Sequence, residues 1–142
     1  MSKINFGRVI AGGVLAGVVI NIFEFVLNAI VMAPEWASIL KSLMLPAYSA
    51  QAMIWFNVAG FATGIAAVWT YAAIRPRFGA GPKTAVIAGL LTWVTAFVLA
   101  DAKPVAAGML PLHPIVVMLA VEIVAVVAAT IAGAWLYQEP AD

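Results

Sequence analysis

The sequence predicts an all-α integral membrane protein built as a four-helix bundle, and three observations lead there. Of its 142 residues 65% are hydrophobic and only 9% charged, where a water-covered domain carries roughly 25% charged residues. Mean hydropathy is +1.10. Residues 9–32 form one apolar run whose only ionisable side chain is Glu24, and three further apolar runs follow it.

The first run spans ~36 Å at helical rise, enough for a hydrocarbon core of ~30 Å with some tilt. It is longer than a signal-peptide core, and Ala33 is followed by Pro34, a poor cleavage site. The run is therefore expected to stay as helix 1. Beyond it Trp36, Ile39, Leu40, Leu43 and Met44 recur at i, i+3, i+4, i+7, i+8, with Glu35, Ser38, Lys41 and Ser42 opposite. That spacing predicts a short amphipathic interfacial helix between helices 1 and 2. Helix 2 is expected over 50–74, and the Pro- and Gly-rich basic segment 75–83 as a tight loop. Helix 3 is expected over 84–100. Segment 101–114, with Pro104, Gly108, Pro111 and Pro114, reads as a second connection. Helix 4 is expected over 115–137, ahead of an acidic tail.

Orientation follows from Lys and Arg. Lys3, Arg8, Arg75, Arg77 and Lys83 fall on one side, Lys41 and Lys103 on the other. The expectation is both termini in the cytoplasm (N-in, C-in), in the inner (cytoplasmic) membrane. Trp69, Tyr71, Trp135 and Tyr137 end helices 2 and 4 at one level, as aromatic anchors would.

Two short matches hint at a tandem helical-hairpin repeat. Val9-Ile-Ala-Gly12 recurs as Val86-Ile-Ala-Gly89, 77 residues on, and Ile65 to Tyr71 resembles Ile131 to Tyr137, 66 residues on. The interfacial helix would account for the shorter second offset. A two-span unit would repeat in parallel, about an axis along the membrane normal.

Lipid tails are as apolar as Leu, so spans associate by close packing and hydrogen bonding. Gly13 and Gly17, Gly60 and Gly64, and Ala129 and Gly133 stand four apart. They are expected to pack the bundle internally, or to leave a face for a second copy or a larger membrane complex. The lipid bilayer itself is the other partner.

Charged groups within a span cost at least ~2.5 kcal/mol and usually face the bundle interior or a cavity. Glu24 and Glu122 each fall ~10–12 Å inside the outer end of their predicted helices, and Asn57 falls at matching depth. Asn21, Glu24 and Asn28, spaced i, i+3, i+7, share one face of helix 1. Thr92 and Thr95 sit at a similar level in helix 3. The candidate site is this layer: Asn21, Glu24, Asn28, Asn57 and Glu122.

Three readings fit such a layer. It is structural glue, with protonated glutamates bonded to asparagine or threonine; or a site for a proton, cation or small polar ligand, as in a small proton-coupled transporter; or the face of an accessory subunit. The leading expectation is a structural or accessory membrane subunit, with the proton-coupled transporter or binder as alternative.

Other classes are poorly supported. No GxSxG, HExxH or phosphate-cradling loop is present, so no catalytic residues are assigned and an enzyme is not expected. The chain has no cysteine and one histidine, which excludes thiolate or bis-His metal sets within one chain. His113 reads as a solvated loop residue rather than a haem ligand, so no cofactor is expected. Asp101 and Lys103 read as boundary charges. A net charge of +1 gives no nucleic-acid footprint.

Gly7-Arg8-Val-Ile-Ala-Gly-Gly leading into Asn21-Ile-Phe-Glu24-Phe, with Arg75-Pro-Arg-Phe-Gly-Ala-Gly-Pro-Lys83-Thr, resembles an uncharacterised family of small bacterial four-helix integral membrane proteins. The resemblance covers most of the chain and transfers no activity or site. A weaker similarity is to small multidrug resistance transporters, four-helix chains with an essential glutamate in helix 1 and functional aromatics, against which Glu24 and Trp93 can be set. This chain departs from them in its length, its extra outer segment and its clear charge bias, and the comparison is one of analogy.

Overall fold

The computed structural model describes residues 4–138. Lys3 and the tail residues Glu139 and Asp142 lie outside the described residues. Five helices follow one another, and there is no strand among the described residues: α1 (Phe6–Val31), α2 (Ala33–Ser42), α3 (Ala50–Phe78), α4 (Pro82–Ala106) and α5 (Leu112–Leu136). All but α2 are long and apolar enough to cross a membrane, at 26, 29, 25 and 25 residues.

Each start has a local cause. The Asn5 side chain accepts from the Arg8 N–H at 3.2 Å, and Ser49 Oγ accepts from the Ala52 N–H at 3.2 Å, two side-chain caps for orphan amides. Pro82 opens α4, where its fixed φ and missing N–H cost nothing.

The long helices run further than proline positions suggested. Helix α3 continues through Pro76 to Phe78, and only 79–81 remain as the loop to α4. Gly79 turns the chain at φ +85 and its N–H closes on Arg75 O at 2.8 Å, a conformation that favours glycine. Helix α4 continues through Asp101 and Pro104 to Ala106, and α5 begins at Leu112. Pro114 is tolerated because it sits in the first turn, where amides lack helical partners anyway. The connection from α4 to α5 shrinks to 107–111, and His113 belongs to a helix rather than a loop.

Two stretches wind wider, with i→i+5 bonding. Residues Phe25–Val31 end on the Met32 N–H donating to Leu27 O at 2.7 Å, and Val94–Val98 form the second. Such π turns shift the facing of everything beyond them.

Around the bundle α1 packs on α3 and α5, and α4 packs on α5 and α3, with α3 and α5 also touching across the diagonal. Small residues set the crossings. A β-carbon placed on Gly64 would lie 2.6 Å from Gly13 O and 2.8 Å from Gly17 Cα, and one on Gly133 would lie 2.6 Å from Gly12 O. The glycine spacings read from the sequence thus serve internal packing.

The core is in two parts. A larger cluster, including Val9, Ala16, Ile20, Val68, Ala88 and Ala129, fills the middle of the bundle and the end that carries both termini. A smaller one, Leu27, Met32, Ile115 and Met118, closes the end that carries α2, with Trp36, Val105 and Leu119 against it. The first part of α3 stands apart: residues 53–59 are all exposed.

At the end of the bundle that holds both termini Tyr71 and Tyr137 are buried and meet edge to face, ring centroids 6.0 Å apart. They are not lipid-level anchors, since the bundle interior takes them; Trp69 and Trp135 alone remain exposed. The Gly81 N–H donates to Tyr71 OH at 3.2 Å, and the Asn5 N–H donates to Tyr137 OH at 3.4 Å. The Arg75 guanidinium lies 5.6 Å from the Tyr137 ring centre, within cation–π range.

Candidate functional site

The five residues singled out in the sequence divide into three separate settings. In the first, Asn28 stands one turn beyond Glu24 on α1 and donates from Nδ2 to Glu24 Oε2 at 2.7 Å and to Glu24 O at 3.1 Å. Its Oδ1 accepts from Trp36 Nε1 at 2.9 Å. The chain Trp36→Asn28→Glu24 therefore ties α2 to the carboxyl of α1. Trp36 was expected only as part of an apolar face; its indole N–H gives it this second use.

The second setting lies between α1 and α3. Asn21 Nδ2 donates to the main-chain carbonyl of Asn57 at 3.2 Å, and Asn57 Nδ2 donates back to Met53 O in its own helix at 2.8 Å. Asn21 also packs against Gly60, its side-chain tip filling the space an added β-carbon would take. Both asparagines line a groove of about 320 Å³ with Phe25 and Phe61, open at the bundle surface. No hydrogen bond links either to a glutamate among the described residues. Thr92 and Thr95 likewise turn inward on their own helix, donating to Ala88 O at 2.9 Å and Leu91 O at 2.8 Å.

The third is Glu122. It is only 3% exposed, lies against neither asparagine nor threonine hydrogen-bond partners, and its Oε2 is buried with no hydrogen-bond partner. Such a group loses water without replacement, which costs roughly 1–3 kcal/mol even for a neutral atom. Trp93 Nε1 donates to Leu119 O one turn away, at 3.1 Å, which fixes α4 against α5 beside it.

By helix count Glu24 is seven residues before Val31, Glu122 ten after Leu112 and Asp101 five before Ala106, or about 10, 15 and 8 Å from the helix ends. The shared level is looser than predicted because α5 begins earlier. Each carboxyl nonetheless sits one turn from a member of the outer apolar cluster: Glu24 from Leu27, Asp101 from Val105, Glu122 from Met118. None of the three forms an ion pair among the described residues. No group of three His, Cys, Asp or Glu is close enough to hold a metal ion among the described residues.

Asp101 was missed as a site residue because helix 3 was expected to stop at Ala100. The signal was present: 77 residues, the spacing that carries Gly12 onto Gly89, also carries Glu24 onto Asp101.

No family model, curated protein or solved structure matches the chain.

Proposed function

We propose that this chain is a multi-pass protein of a bacterial inner membrane that takes up and releases a proton, or holds a small cation, at Glu24 and Glu122. One observation carries the reading: a carboxyl oxygen of Glu122 is buried without a hydrogen-bond partner. Glue would show the opposite, a carboxyl saturated by neighbours. Intramembrane acids of this kind mark proton and ion pathways.

The accessory-subunit reading keeps one specific support, the satisfied Trp36→Asn28→Glu24 chain. It fits a fixed structural joint, and predicts co-purification with a constant partner in mild detergent.

The reading includes topology. The Lys/Arg bias supports cytoplasmic termini, with α2 lying along the outer surface. A tandem hairpin, α1 with α3 followed by α4 with α5, is supported by the tyrosine pair. Tyr71 accepts from the N-cap residue of α4, Tyr137 from the N-cap residue of α1, a reciprocal exchange expected of two copies about an axis.

The test is flux. Purified protein is reconstituted into liposomes under a pH gradient and proton movement followed with an internal dye, with and without external tetraethylammonium. The wild type should carry protons, and Glu122→Gln should abolish the flux while its helical circular dichroism is unchanged. Equal behaviour of wild type and Glu122→Gln would leave the accessory reading in possession.

A further inference from the structure

We infer that the groove between α1 and α3 is the seat of a second copy of this chain, and that the side chain of Asn57 pairs with its own counterpart across a two-fold axis along the membrane normal. The inference uses the membrane-spanning reading and is independent of the proton site.

What the fold leaves uncovered comes first. The glycine faces are used up inside the bundle: Gly13, Gly17 and Gly64 meet at the α1–α3 crossing, Gly12 and Gly133 at the α1–α5 crossing. Helix α3 has buried residues only from Gly60 onward, while residues 53–59 are all exposed. In that stretch Asn57 stands among Met53, Ile54, Trp55, Phe56 and Val58, each itself exposed. The groove of about 320 Å³ beside it leads onto α1, where Ile22, Phe25 and Val26 are exposed as well.

The Asn57 amide is the exception on this apolar face. Its side chain bonds to no other helix, because Asn21 takes the main-chain carbonyl instead. One side-chain N–H goes to Met53 O, at 2.8 Å in its own helix. A carboxamide has two N–H donors and a carbonyl oxygen, so one N–H and Oδ1 are left without a partner among the described residues. Asn28, by contrast, has both ends of its amide engaged. In hydrocarbon no water can satisfy such groups, and polar side chains there bond across helices.

The occupant follows from that remainder. Lipid tails bring neither donor nor acceptor. A second copy brings both, since one N–H and one carbonyl oxygen on the same planar group are their own complement. Two Asn57 amides related by a two-fold axis form a pair of N–H···O bonds in an isologous interface. An axis along the membrane normal keeps both copies in one orientation, with Asn57 at one depth. Ile54, one turn before Asn57 and on the same side, then comes close to its own counterpart. Val124 on α5, across the diagonal from α3, does not.

Energy transfer between copies in bilayers tests this. The cysteine-free chain carries one label at Ala80→Cys, donor on one batch and acceptor on another, and the protein-to-lipid ratio is lowered with added lipid. The Ala80→Cys background should give transfer above random proximity. Asn57→Leu should raise the half-maximal ratio about tenfold, the scale of two interhelical polar bonds in a membrane, with helical circular dichroism unchanged. Asn57→Gln, which keeps the amide, should stay within about threefold of the background. Separately, Ile54→Cys should form a disulfide-linked dimer under mild oxidation in the bilayer, and Val124→Cys should not, although the two positions are similarly exposed at 64% and 61%. Transfer no higher than random at every ratio overturns the inference and leaves the groove to lipid or another protein. Equal midpoints for Asn57→Leu and Asn57→Gln, or equal cross-linking at positions 54 and 124, overturn it too. None of these readouts involves Glu122, so the proton site stands or falls separately.

Discussion

Replacing Gly64 by alanine adds one carbon at the α1–α3 crossing. That carbon would lie 2.6 Å from Gly13 O and 2.8 Å from Gly17 Cα, where ordinary contact begins at 3.4 Å. These obstacles and Gly17 N, which lies closer still, are all main chain, so none can rotate aside; the helices must part by about 1 Å. A gap of that size forfeits roughly a quarter to a half of each atom pair's attraction, and some fifteen pairs at ~0.15 kcal/mol meet at such a crossing, giving about 1 kcal/mol. Residual overpacking adds about 1–3 kcal/mol, and alanine's better helix propensity returns up to ~1. The expected net loss is about 1–3 kcal/mol. Gly7→Ala is the internal control, because a β-carbon there meets only Asn5 Oδ1 at 3.5 Å; it should be neutral or slightly stabilising. Both variants are unfolded in mixed micelles by rising SDS fraction, followed by circular dichroism. Coincident transitions for Gly64→Ala and Gly7→Ala would refute the claim that main-chain contact holds these spans together.

Asn57→Leu should change stability by no more than about 0.5 kcal/mol, since the bond from Asn21 ends on the main-chain carbonyl of residue 57 and survives. Asn21→Ala deletes that bond and should cost about 1 kcal/mol in the same SDS titration; equal effects would contradict the geometry. The chain lacks cysteine, so single cysteines report topology cleanly. Ala107→Cys should react with a membrane-impermeant maleimide on intact cells and Ala80→Cys only after lysis, and the reverse pattern would invert the proposed orientation.

Much of the architecture was legible in the sequence because apolar length is a strong signal: four runs became four long helices. Gly13, Gly17, Gly60 and Gly64 announced their crossing by spacing alone. Ends were misread where proline was taken as a stop. Pro114 in a first turn and Pro76 in a last one interrupt little, and Pro104 follows a wide turn, so α3, α4 and α5 all run longer. The site was half legible. Depth along a helix can be counted, which brought Glu24 and Glu122 to one end. Azimuth is read more coarsely: Asn21 and Glu24 stand about 60° apart in the regular helix, yet Asn21 meets α3 while Glu24 meets Asn28. The tyrosines were misplaced because the same amphipathic ring suits a lipid boundary or a buried hydrogen bond equally well.

The two tyrosine latches differ sharply in when they can close. Tyr71 and its donor Gly81 are ten positions apart, whereas Asn5 must wait for Tyr137, 132 positions later. During synthesis the first clasp can fasten as soon as the third long helix begins to emerge. The second depends on the end of α5, at Leu136. A ribosome that stalls anywhere before Tyr137 thus leaves α1 packed on α3 but without the clasp on Asn5.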